Sequence, residues 1–227
     1  MVSVVLFDAD DTLWDFQWAM RAALHAMLEE LWTAFPGRES AGLTVDRMIA
    51  IRDRVAAELE GRVLDLAVIR LASFERALEE VGIVEAGLAA ELGASYFSHQ
   101  AHSLRLFDDT LPALDALAGW RLGVVSNGNA DVVRLGIADR FETVVRAVDV
   151  GVGKPDPAII EYALERFGVT PDEAVLVGDS EEADVEAAKA AGIRSVLLDR
   201  HDRAVGSAAD WVIGSLTELP ALMAQTT

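Results

Sequence analysis

The chain has 227 residues, 52% hydrophobic and 25% charged, which is ample for a buried core and far from disordered or collagen-like compositions. Its 38 acidic residues against 19 basic ones leave a formal net charge of -19, a field that repels phosphate backbones and anionic membranes and so excludes nucleic-acid binding as a main role. Cysteine is absent, which excludes disulfide frameworks, Cys-ligated zinc and thiol nucleophiles and agrees with a reducing cytoplasm. The N-terminal run meets Asp8 too early for a signal peptide, and no run approaches the roughly 18 apolar residues of a membrane span.

Residues 2–7 form a β-branched apolar run and are predicted as a buried strand. From Asp15 the period changes: Phe16, Met20, Leu24, Met27, Leu28 and Leu31 recur at three and four, an amphipathic helix closed by Pro36-Gly37. Thr44 is placed to cap a second helix carrying Val45, Met48, Ile49, Val55 and Leu59. A third carries Ala67, Leu71, Phe74, Leu78 and Val81 before Gly82, and a fourth puts Leu88, Leu92, Tyr96 and His99 on one face. Residues 15–105 therefore read as a helical domain inserted into a second domain made of residues 1–14 and 106–227.

Beyond the insertion, strands are predicted over 121–126, 143–148, 174–177, 195–198 and 211–213, with helical segments between most of them. Pro155 and Pro157 open a helix that Gly168 ends, Thr170-Pro171 starts a capped turn, and residues 184–191 form a small-residue helix stopped by Gly192. Alternating strands and helices imply a doubly wound parallel α/β sheet, and the isolated first strand must join it to satisfy its edges.

In such a sheet ligands bind beyond the carboxyl ends of the strands. Asp8 and Asp10 follow the first strand and, two apart on extended chain, face one crevice; Thr12 adds a hydroxyl. Ser126-Asn127-Gly128 follows the second strand and offers a hydroxyl and turn N–H groups suited to an oxyanion. Lys154 stands before a helix in Gly-Lys-Pro-Asp-Pro, Asp179 follows the fourth strand, and Asp184 comes five residues later. Singly, each has an ordinary reading as a cap, a turn or a surface lysine. Jointly they crowd four carboxylates around one lysine, a repulsion of several kcal/mol per close pair at an effective dielectric of about 20. A hard divalent cation, Mg2+ where phosphate shares the site, relieves it.

These residues carry a resemblance. Leu6-Phe-Asp-Ala-Asp-Asp-Thr-Leu13, Ser126-Asn-Gly, Lys154-Pro and Gly178-Asp-Ser-Glu-Glu-Ala-Asp184 are similar, in order, to the four motifs of the haloacid dehalogenase-like hydrolases. The helical insertion resembles the cap of that family's phosphoglycolate-phosphatase-like branch, which implies a Rossmann-like core with a cap over its active site. The resemblance implies Asp8 as nucleophile, Asp10 as acid and base, and Lys154 stabilising the transferring charge. Ser126, Asn127 and Gly128 would hold the phosphoryl oxygens, with Thr12 beside them orienting Asp10. Asp8, the Asp10 carbonyl and Asp179 would hold Mg2+, with Asp184 a ligand through water or a partner for Lys154.

The family's dehalogenases lack the second Asp of the first motif, so Asp10 points to a phosphatase acting on a small phosphorylated metabolite. A phosphomutase on the same core, and a non-catalytic phosphoacceptor or binding module, remain open alternatives. Asp11, where many members carry Gly, is given no role. His99 and His102 read as structural, Trp14 and Trp18 as packing at the junction of the two domains, and the helical arginines Arg47, Arg52, Arg54, Arg62 and Arg70 cannot be told apart as readers of an anion.

Overall fold

The structure is a computed structural model that describes residues 1–37, 42–59, 62–202 and 204–225. Two compact units divide the chain: Met1–Asp15 with Leu106–Thr227, and Phe16–Arg105.

The first unit holds strands β1 (Val4–Phe7), β2 (Arg121–Ser126), β3 (Thr143–Arg146), β4 (Ala174–Gly178), β5 (Arg194–Leu198) and β6 (Trp211–Ile213). All pair in parallel, in the order β3-β2-β1-β4-β5-β6. The order reverses direction between β1 and β4, and a crevice opens at such a switch point. Every residue of β1 and β4 is buried, because parallel strands are covered on both faces and need unbroken apolar sequence. Helices α5 (Thr110–Ala116), α6 (Ala147–Val150), α7 (Ala158–Phe167), α8 (Glu186–Ala190) and α9 (Leu219–Gln225) complete the unit. Ile159, Ile160, Ala163, Leu164 and Phe167 of α7 bury one face against Val4, Leu6, Val125 and Leu176 of the sheet. Gly168 ends α7 at φ 65, a left-handed position that glycine takes without Cβ strain.

The second unit contains α1 (Phe16–Ala34), α2 (Val45–Leu59), α3 (Leu66–Glu80) and α4 (Leu88–Ser103). Met20, Leu24, Met27, Leu28 and Leu31 of α1 share a core with Met48, Ile51 and Val55 of α2, Phe74 and Leu78 of α3, and Leu88, Leu92 and Tyr96 of α4. Thr44 caps α2, its Oγ1 accepting from the Arg47 N–H at 3.2 Å.

Five details depart from the sequence reading. β1 starts at Val4 rather than Val2, and β3 stops at Arg146 because Asp149 accepts from the Arg146 backbone and side chain and starts the short α6. Residues 181–185 form a wide π-type turn ahead of α8 instead of a continuous helix from Asp184. His99 is not a core histidine: its Nε2 lies 2.8 Å from Glu30 Oε1 on a side chain 38% exposed. The two tryptophans part company, Trp14 being buried and Trp18 being 43% exposed with the Arg105 guanidinium 3.9 Å over its ring.

Candidate active site

Register places Phe7 beside Val124 on one side and Val177 on the other, so the loops after β1, β2 and β4 leave the sheet at one edge. The Asp8 N–H donates to the Val177 carbonyl at 2.8 Å, which fixes Asp8 where the strand ends. Asp8 and Lys154 are buried, and the Lys154 Nζ donates to Asp8 Oδ1 and to Asp184 Oδ1, both at 2.6 Å. Asp184 is held from its other oxygen by the Ser180 N–H at 3.0 Å. Thr12, fully buried, donates its hydroxyl toward Asp8 Oδ2 at 3.3 Å and Asp179 Oδ1 at 3.2 Å. One ligand oxygen from each of Asp8, Asp179 and Asp184 can lie within 4.8 Å of the others.

Thr12 thus serves Asp8 and Asp179 rather than Asp10. Asp10 is held by Trp14, whose Nε1 donates to Asp10 Oδ1 at 2.6 Å. Gly128 makes room on the other side, since a Cβ there would stand 2.5 Å from Asp10 Oδ2. Gly178 does the same for Asp184, whose carboxyl a Cβ would meet at 2.2 Å.

Ser126 and Asn127 also differ from expectation. The Gly128 N–H, read as facing a ligand, donates to Ser126 Oγ at 2.9 Å, which leaves the Ser126 hydroxyl its own proton to give to a bound oxyanion. The Asn127 side chain grips the backbone of Lys154 from both ends: Asn127 Nδ2 donates to the Lys154 carbonyl at 2.8 Å, and the Lys154 N–H donates to Asn127 Oδ1 at 2.7 Å. Nothing in the local sequence signals this pair, 27 residues apart. The spacing of Asp10 and Trp14, four residues, did contain a signal, and the turn between them closes through the Asp11 N–H to the Trp14 carbonyl at 2.8 Å.

The electrostatics follow from this crowding. Burial pushes the Asp8 carboxyl up; Lys154 opposes it, and Asp184 and Asp10 add to it. Asp10 is pushed up to about 6, by burial first, with Trp14 acting the other way and Asp11 adding its charge. Asp179 reaches about 6 through burial and the charges of Asp184 and Asp11. Burial alone would lower the Lys154 ammonium, but Asp8 and Asp184 outweigh it and raise it. Four carboxylates around one buried ammonium are short of positive charge, and their all-oxygen donor set suits a hard cation such as Mg2+.

Comparison with known proteins gives the family and the kinds of enzyme that resemble this chain. Residues 2–192 match the haloacid dehalogenase-like hydrolase family. A glyceraldehyde 3-phosphate phosphatase of Methanopyrus kandleri is 33% identical over 212 residues, covering 88% of this chain and 85% of its own. A phosphoglycolate phosphatase of Neisseria meningitidis is 31% identical over 240 residues, covering 96% and 92%. Among solved structures, a 2-haloacid dehalogenase of Pseudomonas syringae pv. tomato superposes with a TM-score of 0.80 at 34% identity, over 100% of both chains.

Proposed function

The chain belongs to the haloacid dehalogenase-like hydrolases, and from that premise we propose that it is a Mg2+-dependent phosphatase that hydrolyses a small phosphate monoester through an aspartyl phosphate on Asp8. Asp8 attacks phosphorus in line with the departing oxygen, and Asp10 gives that oxygen its proton. A carboxyl raised to about 6 is suited to the task, since it exchanges a proton near neutral pH. Asp10 then takes a proton from the water that cleaves the acyl phosphate, and Asp8 is regenerated.

Lys154, held by Asn127, stabilises the charge that builds between Asp8 and the phosphoryl group, and the Ser126 hydroxyl with the Asn127 and Gly128 turn receives its oxygens. Asp8, the Asp10 carbonyl and Asp179 would hold Mg2+, with Asp184 supporting through Lys154, and the ion would supply charge neutralisation for the phosphoryl oxygens. A cytoplasmic setting and a small phosphorylated metabolite as partner complete the reading; no helix among the described residues is long and apolar enough to cross a membrane.

The observation that carries the phosphatase reading over the dehalogenase one is Asp10, held at 2.6 Å by Trp14. Halide leaves carbon without a proton, so a positioned acid has no task in dehalogenation. The test is phosphate release from a panel of phosphorylated metabolites with Mg2+ and with EDTA, alongside halide release from a 2-haloacid, with Asp8→Asn as the blank. Metal-dependent phosphate release that vanishes in Asp8→Asn is expected; halide release without phosphate release would overturn the proposal.

A further inference from the structure

The five helical arginines that sequence leaves equivalent are separated by their surroundings. Arg47 and Arg54 both pair with Glu80, at 3.1 and 2.5 Å, and Arg62 donates to the Glu58 carbonyl. Arg70 is placed differently. It lies in the buried row of α3 with Ile69, Ser73, Phe74 and Ala77, is only 7% exposed, and stands 4.6 Å over the ring of the fully buried Tyr96. Among the described residues no carboxylate forms an ion pair or hydrogen bond with it.

Arg52, on α2, is close enough for its charge to repel that of Arg70. Asp53 Oδ1 lies 2.7 Å from the Arg52 Nε, an ion pair whose angle does not make a hydrogen bond, and the charge of Asp53 also reaches Arg70, so one carboxylate serves two guanidinium groups. Burial pulls the Arg70 guanidinium below the ordinary arginine range; Tyr96 opposes this, Arg52 adds to it, and Asp53, which forms no ion pair with Arg70, offsets it least. Buried arginines are ordinarily paired, because an uncompensated buried charge costs several kcal/mol. With 38 acidic residues in the chain, a carboxylate partner was not hard to supply. An unpaired guanidinium stacked on an aromatic ring is suited instead to an incoming planar or tetrahedral oxyanion, which it binds through a fork of N–H donors.

We propose that Arg70, with Arg52 beside it, forms an oxyanion-binding site within the helical unit that receives the carboxylate or phosphate group of a small metabolite. The site does not depend on the phosphatase reading, and the probe reads it separately.

The test follows arginine Nε–Hε resonances of the full-length protein in EDTA, titrated with inorganic phosphate and with acetate against sodium chloride at matched ionic strength. Saturable shifts at Arg70 and Arg52, with Arg47, Arg54 and Arg62 tracking chloride, are expected. Arg70→Met should abolish the Arg52 response, and Arg70→Lys, which keeps the charge but not the fork, should weaken it by about tenfold. Shifts at Arg70 that merely track chloride, or an Arg52 response intact in Arg70→Met, would overturn the site. If Arg70→Met fails to fold, Arg70→Lys decides: affinity equal to the wild type overturns it.

The origin of the anion is read from kinetics. With a phosphate ester bearing a second acidic group and a neutral ester of the same size, a fall of about tenfold in the ratio of their kcat/KM values in Arg70→Lys puts the anion on the ester. An unchanged ratio, with the phosphate response still weakened, puts it on a separate metabolite.

Discussion

The indole Nε1 of Trp14 donates a 2.6 Å hydrogen bond to Oδ1 of Asp10, fixing one oxygen of the carboxyl and leaving the other beside Gly128. Trp14→Phe keeps the buried ring and removes only the donor. We expect kcat to fall by about tenfold or more with KM little changed, because a general acid held loosely loses its orientation before substrate binding is affected. Steady-state kinetics with the proposed phosphate ester checks this, and an unchanged kcat would remove Trp14 from the positioning of Asp10.

Gly128 offers a sharper version of the same test. Its backbone does not require glycine through a left-handed φ, yet a Cβ would stand 2.5 Å from Asp10 Oδ2. Gly128→Ala should therefore fold, displace the Asp10 carboxyl, and reduce kcat by about 100-fold, the scale of losing an acid or base. Circular dichroism and kinetics together read the outcome; full activity would mean that Asp10 moves aside without consequence.

Which parts of this were legible in the sequence depends on the range of the interaction. Strands β1 and β4 could be read because burial on both faces demands a continuous apolar run, and Asp8 and Asp179 could be placed because each follows directly on such a run. The exchange between Asn127 and Lys154 could not, since it joins two loops whose approach is set by the fold. The short α5 and α9 fell below the length at which helical periodicity shows. Asp11 is intermediate: its φ of 61 is a left-handed conformation that Gly, Asn and Asp tolerate best, a demand that comes from its place in the turn after β1 and that the sequence alone does not state.

Mg2+ should stabilise the protein through the carboxylate cluster. Thermal unfolding in increasing Mg2+ is expected to shift upward, by about 2.7 kcal/mol when the ion is at 100 times its Kd. Asp179→Asn should remove most of that increment, because Asp179 brings one of the three oxygens that lie within 4.8 Å of one another. An equal rise in the variant would place the ion elsewhere.

Asp109 controls an acid-sensitive part of the fold. It accepts from both Arg200 terminal nitrogens at 2.8 and 3.0 Å, from Ser215 Oγ at 2.8 Å and from the Leu216 N–H at 2.9 Å, while Arg200 also reaches the Thr12 carbonyl at 2.9 Å. Burial would raise the Asp109 carboxyl, but these donors outweigh it and hold it below the usual range. A depressed folded-state value means that stability from Asp109 is fully present above the unfolded value of about 4 and is lost as pH falls below it. Asp109→Asn should lower stability at neutral pH by about 2 kcal/mol and flatten the acid limb, measured by denaturant melts across pH. A limb as steep as the wild type would assign the acid sensitivity to other carboxylates.

The position of β1 in the centre of the sheet also constrains the order of assembly. Its partners are far downstream, Val4 pairing with Arg121 and Ala174, which lie 117 and 170 positions later. During synthesis the earliest strand must wait, unpaired and apolar, while the whole helical segment is made. The helical unit, a continuous segment Phe16–Arg105 with a core of its own, can close first, whereas the sheet that carries Asp8 can form only after β4 has emerged. The proposed catalytic machinery is therefore among the last parts of the molecule to exist, and a chain interrupted before residue 174 would carry Asp8 with one of its two flanking strands missing.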